Sequence, residues 1–287
     1  MMKDRIERWI CSAAGKISIV MFVTSVILIL IACSDLGSSW MTERQAENAN
    51  NILFGIATNL IGIIVTVSFV QYFLDKQDEE VEREEERRTI LRYDRYMSTL
   101  IRRYAMFHVM ITTRLKDRKD IDYDHPLDHN FKLSDLADMY RSSSYLSEGF
   151  AEPTAELFYK AEGELKAYVL RMLENIEFKY NPELEELLIS FAEKSTDMDV
   201  RGQILEKCMK RKNKIREDQV ELIEKIIADE SQDWMAMFGR GELQGNLMLI
   251  YVTLFILLQD QSRMLKEYRE YINGLREMER KRKMEHR

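Results

Sequence analysis

Glycine and proline are scarce, 11 and 3 in 287 residues. An all-β sandwich needs a turn residue every few positions, and this chain does not supply them. No segment alternates apolar and polar residues at period 2. The three cysteines, Cys11, Cys33 and Cys208, lie far apart, which leaves neither a disulfide framework nor a CxxC zinc site. Walker A, HExxH and GxSxG motifs are all missing. The one glycine cluster, Gly239-x-Gly241-x-x-x-Gly245, has no strand before it and so is no dinucleotide fingerprint. No nucleophile, general base, metal ligand or cofactor site is assigned, and the chain is not expected to be an enzyme. A net charge of −7 argues against a protein that coats nucleic acid over its whole surface, yet leaves room for a local basic patch. Hydrophobic residues make up 46%, enough to build a core and to exclude wholesale disorder.

What the chain does have is two long apolar runs near its start. Ile17 to Cys33 and Ile52 to Leu74 contain no charge. A helix needs about 20 mostly apolar residues to span a bilayer. The second run meets this, and the first does so when Lys16 snorkels. Backbone polar groups in lipid are paired only within the segment, so both runs are expected to be helices. Lys3, Arg5, Arg8 and Lys16 precede the first span. Lys76, Arg83, Arg87, Arg88 and Arg92 follow the second. The connection carries only Arg44 beside Asp35, Glu43 and Glu47, with Trp40 placed for the outer interface. The positive-inside rule then puts both termini in the cytosol. The organisation expected is a cytosolic start (1–16), a first span (17–33), a short outer loop (34–51), a second span (52–74), a stalk helix (75–116) and a cytosolic helical domain (117–287).

A competing reading takes Leu30-Ile31-Ala32-Cys33 as a lipobox with Cys33 as the lipidated residue. A third apolar run, Leu247 to Leu258, is the length of a buried core helix. A third span would also carry the C-terminal Lys/Arg cluster outside.

The second span bears a stripe of small and polar residues, Asn51, Gly55, Asn59, Gly62 and Thr66, spaced for one helix face. Small residues let helices approach closely, and an intramembrane Asn seeks a partner. Two readings stay open: packing within the hairpin or between protomers, or the lining of an oligomeric pore.

Beyond the spans the signals are helical. Ile90, Tyr93, Met97, Leu100, Tyr104, Phe107 and Ile111 form a 3–4 seam, as in a coiled coil or bundle. The charge-dense stretch Asp78 to Arg88 before it reads as a solvated neck. Lys116 to Asn130 is polar and ends the helix. Ser134 is placed as an N-cap, Pro153 in a first turn, and Asn181-Pro182 as cap plus first position. Thr196 or Asp197 starts a further helix, and Gln219 to Ala228 is amphipathic. A last helix carries a second seam, Leu247, Ile250, Leu254, Leu257, Gln261, Met264, Tyr268, Tyr271, Leu275 and Met278, in which Gln261 is the lone polar member.

Arg88, Arg92, Arg95 and Arg102 line the face opposite the first seam. Lys207, Lys210, Arg211, Lys212, Lys214 and Arg216 form a second basic cluster. Such density either marks a solvated face or grips phosphate. Asp120, Asp122, Asp124, His125, Asp128 and His129 include ligand types. They miss the calcium-loop pattern at positions 6 and 12, and read as a polar surface loop. His108, beside seam residue Phe107, is expected to be a packed or rim histidine.

The stretch Asn59-Leu-Ile-Gly-Ile-Ile-Val-Thr-Val, then Phe73-Leu74 and the charged neck, resembles bacterial proteins with an N-terminal two-span hairpin and a cytosolic helical domain. Over residues 1 to about 95 the layout is similar to membrane effectors of anti-phage systems, including the Hailong type. That resemblance implies a homo-oligomeric channel or pore-type effector in the bacterial cytoplasmic membrane. Its cytosolic helical domain would sense a nucleotide or nucleic-acid signal. The alternative is a non-conducting membrane-anchored scaffold that recruits a cytosolic protein partner. The fold class expected is all-α: a two-helix transmembrane hairpin, a long stalk helix and a helical bundle.

Overall fold

A computed structural model describes residues 13–34, 42–141, 152–212 and 217–285. Trp40, Lys214 and Arg216 therefore lie outside the described residues. Every regular element among those described is helical. In chain order they are α1 (Ala13–Cys33), α2 (Glu43–Ile111), two 3-10 turns (Leu115–Asp120 and Leu133–Asp138), α3 (Thr154–Asn175), α4 (Pro182–Asp197), α5 (Arg201–Lys212), α6 (Glu217–Ala228), α7 (Trp234–Gly239) and α8 (Met248–Glu285). The chain divides into two compact units, Met1–Glu82 and Arg83–Arg287, and α2 contributes to both.

In the first unit, α1 and the early part of α2 are long and apolar enough to cross a membrane. Large apolar side chains such as Val20, Leu30, Val65 and Phe69 are exposed along both. Helix α2 starts at Glu43, well before the apolar run, so part of the expected outer loop is helical.

The second unit is a helical bundle around one core. The first seam, on α2, supplies Ile90, Met97, Leu100, Tyr104 and Ile111 to it, with Tyr93 and Phe107 packed at its edge. Helix α8 supplies Leu254, Leu258, Met264, Leu265, Tyr268 and Leu275. The two expected seams thus meet within one chain and are filled there. Neither is left as a free coiled-coil surface. Leu247 and Met278, the first and last expected positions of the second seam, are exposed.

Several local expectations are corrected. Ser134 does not cap a helix. It sits inside the second 3-10 turn, where its hydroxyl donates to Glu230 at 2.8 Å. Thr196 and Asp197 end α4, and the next helix starts at Arg201. Pro153 precedes α3, whose buried face runs through Phe158, Ala161, Leu165, Val169 and Met172 and leaves Leu157 half-buried. Asn181-Pro182 does open α4, but the Asn181 side chain makes no cap. Its amide donates to Glu86 at 2.7 Å, and its carbonyl accepts from the Tyr271 hydroxyl at 2.8 Å. The Asn cap was exchanged for a bridge between α2 and α8.

The neck is not wholly solvated either. Glu84 accepts from Arg88 at 3.1 Å and from Arg282 of α8 at 3.0 Å. Glu86 also accepts from the Tyr180 backbone N–H at 3.0 Å. Polar contacts fasten this stretch where apolar residues are lacking.

Candidate functional site

The contact between α1 and α2 is built on small residues other than the stripe. Ser18, Ser25 and Ala32 of α1, seven residues apart, are buried, and so is Ala57 of α2. The Ser25 hydroxyl donates to the Ala57 carbonyl at 2.9 Å. Leu53, Leu60 and Ile64 are half-buried on the same face of α2 as Ala57. A small-residue heptad in α1 was the available signal, since small side chains let two backbones approach.

The stripe Asn51, Gly55, Asn59, Gly62 and Thr66 lies on the other side of α2. At about 100° per residue, it falls roughly 120–200° around the helix from Ala57. All five residues are exposed. A Cβ added at Gly55 or Gly62 would meet nothing within 4 Å. The stripe therefore does not pack against α1, which leaves packing between protomers or the lining of a pore. The Thr66 hydroxyl is satisfied by the Gly62 carbonyl at 2.9 Å. The Asn51 and Asn59 amides make no hydrogen bond with any described residue.

In the second unit, polar contacts bind α2 to α8 at intervals. Asp94 is 1% exposed and accepts from Tyr268 at 3.1 Å, from Ser98 at 3.1 Å and from the Arg276 guanidinium. One step along, Gln261 is fully buried. It accepts from Tyr104 at 2.8 Å and donates to Ser195 at 2.8 Å and to Glu162 at 3.3 Å. Burial pushes the Glu162 carboxyl up, and the ion pair with Arg201 offsets part of that. Such a network is costly if half-satisfied and rigid when complete. The single polar seam position is satisfied by helices of its own chain. Next comes His108, fully buried, with its Nε2 3.2 Å from the Leu258 carbonyl and its Nδ1 unpaired. Desolvation brings its pKa down to about 4, so the ring is neutral and packed.

The candidate arginines separate by their partners. Arg88 is paired with Glu84. Arg92 lies 5.9 Å from the Tyr93 ring centroid. Arg95 and Arg102 are exposed and make no ion pair or side-chain hydrogen bond with a described residue. Lys210, Arg211 and Lys212 fall in the last turn of α5 with no side-chain placement described.

The Asp/His loop spends its groups locally. Asp122 accepts from the Asp124 N–H at 2.8 Å, Asp128 pairs with Lys266 at 3.0 Å, and the His129 ring lies 3.1 Å from the Thr112 carbonyl. Among the described residues no three such side chains converge on a metal position. Within this polar stretch Arg118 is buried. It donates to the Thr113 carbonyl, the Thr154 hydroxyl and the Asp138 carbonyl, tying the connection after α2 to the start of α3.

A cleft of about 370 Å³ opens beside α6, α7 and α8, lined by Ile223, Ile226, Asp229, Trp234, Leu247 and Met248. The Trp234 indole N–H is buried there without a hydrogen-bond partner. Compared with protein families, with characterised proteins and with solved structures, the chain matches none.

Proposed function

We propose that the chain is an oligomeric membrane channel or pore-type effector whose second unit is a cytosolic sensor. In this reading α1 and α2 cross the bacterial cytoplasmic membrane with both termini in the cytosol, as the Lys/Arg distribution favours. The observation that carries it is Asn59. Its amide is exposed in the middle of an apolar span, on the face turned away from α1, with no hydrogen-bond partner among the described residues. An amide left in hydrocarbon is costly. A second copy of α2 or a water-filled lumen would satisfy it, and an oligomer with the stripe inward provides both. Gly55 and Gly62 let copies of α2 approach, while Asn51, Asn59 and Thr66 offer polar groups to ions and water. One helix, Glu43–Ile111, bears both the stripe and the seam held by α8. A ligand that alters the packing of α2 in the second unit thereby has a route to the stripe. The defence role is that of the Hailong-type effectors which the layout resembles.

Ion flux from liposomes tests this. Reconstituted protein is expected to conduct under at least one of two conditions, with or without added nucleotide, and Asn59→Leu is expected to abolish the current. Silence of the wild type under both conditions overturns the channel. The alternative of a non-conducting scaffold rests on the cleft around Trp234, whose largely apolar walls fit a peptide partner.

A further inference from the structure

We propose that copies of this chain assemble through the second unit, with the outer face of α2 in one copy against the outer face of α8 in the next. Glu85, Arg88 and Arg95 share one face of α2, and Glu270, Glu277 and Lys281 share one face of α8. All six are exposed. The opposite sides of the same helices, Ile90, Met97 and Ile101 on α2 and Leu265, Ile272 and Leu275 on α8, lie in the core. Both charged faces are thus turned away from the bundle.

Contacts inside the chain fix which residues stand level. Helices α2 and α8 run antiparallel, with Glu84 meeting Arg282, Asp94 meeting Tyr268 and Tyr104 meeting Gln261. One residue forward on α2 is one residue back on α8. To within a turn, Glu85 is level with Lys281, Arg88 with Glu277, Arg92 with Asn273 and Arg95 with Glu270. Opposite charges stand level at every step but the uncharged Asn273, and the sign changes on both helices together after Glu85 and Lys281. Rotating a copy about an axis along α2 leaves each residue at its own level. The outer face of α2 then meets the α8 of the next copy in this same register. Sliding by one turn would set Glu85 against Glu277, a like charge.

Within one chain these charges are not spent on one another. Glu85, Arg95, Glu270, Glu277 and Lys281 make no ion pair or side-chain hydrogen bond with a described residue, and Arg88 pairs with Glu84 of its own helix. The complementary surface ends above Arg95, where Arg102 is level with Arg263, a like charge already held by Glu267 and Asp260. A single exposed ion pair is weak, whereas a matched series selects partner and register. Two different faces that meet generate a closed ring or an open filament, and a ring is what a pore requires. The proposal rests on the oligomer in the channel reading and is independent of conduction.

The test is chemical cross-linking of the full chain in native membranes, in a background with Cys11, Cys33 and Cys208 replaced by Ser. Arg92→Cys and Asn273→Cys together, treated with a short bis-maleimide, are expected to give a ladder of multimers, because each copy offers one half of the contact to either neighbour. Each cysteine alone is expected to stay monomeric. A dimer from a single cysteine means that like faces meet and overturns the proposal, as does a double variant without a ladder. Added to the double variant, Arg95→Glu or Glu270→Arg sets like charges level and is expected to cut the cross-linked product at least about tenfold. The two reversals combined are expected to restore it. Single reversals that leave the ladder unchanged, or a loss that the combined swap does not restore, also overturn the proposal. Both positions are exposed, so thermal melts of these variants are expected to match the wild type. A ladder beside a silent flux assay keeps this interface and removes the channel. Current without a ladder removes the interface alone.

Discussion

The Tyr104 hydroxyl donates to the Gln261 side-chain carbonyl at 2.8 Å, deep between α2 and α8, and the same amide reaches Ser195 on α4 and Glu162 on α3. One side chain therefore joins four helices. Gln261→Leu would bury the Tyr104 hydroxyl and part of Glu162 without their partner. A loss of about 2–3 kcal/mol is expected. Thermal unfolding in detergent followed by circular dichroism should show a clearly lower Tm, and an unchanged melt would mean that the network contributes nothing.

The two faces of the span predict different cross-links. In a background with Cys11, Cys33 and Cys208 replaced by Ser, the pair Ser25→Cys and Ala57→Cys should oxidise within one chain, because Ser25 touches Ala57. Asn59→Cys faces away from α1 and should yield a dimer band between chains in native membranes. A dimer from Ala57→Cys and none from Asn59→Cys would invert the assignment of the faces.

His108 makes stability depend on acid. Its pKa drops from 6.5 to about 4 on burial, so the unfolded chain takes up a proton that the folded chain refuses. Nothing is lost above 6.5; stability then falls as the pH drops towards 4 and levels off below it. The total is on the order of 3 kcal/mol. Glu162 works in the opposite direction, since burial raises its pKa and its protonation favours the folded state. His108→Gln should therefore flatten the fall of Tm between pH 6.5 and 4. Parallel curves for variant and wild type would exclude His108 as the cause.

Gly241 has φ +74°, and a Cβ there would meet nothing within 4 Å. Gly241→Ala should thus cost about 1 kcal/mol through the backbone alone. Gly239→Ala, with equal space and no positive φ, should cost nothing measurable. Equal melts for the two variants would show that the turn relaxes freely.

The reach of the sequence can be judged on these same residues. Asn181-Pro182 marked where α4 begins, because the first helical position tolerates proline wherever the rest of the chain goes. The use of Asn181 as a bridge to Glu86 and Tyr271 was not legible, since both partners lie about 90 residues away. Gln261 stood out as the polar break in an apolar seam, but a seam does not say whether its partner is another chain or another helix of the same one. The Arg stripe was legible as charge. Its division into paired Arg88 and unpaired Arg102 depends on which carboxylates the fold delivers.

What the sequence by itself determined is one-dimensional: the length of two uncharged apolar runs, the 3–4 spacing of two seams, and the shortage of turn residues that makes the described chain helical. Each follows from local backbone geometry and from the thickness of hydrocarbon. The tertiary structure alone decided how each helix is rotated against its neighbours. That rotation turns Ala57 towards α1 and Asn59 away from it, and sets Asp94 beside Tyr268 and Arg276. Side-chain spacing fixes a stripe on a helix, but the burial of contacts distant in sequence fixes which way the stripe looks.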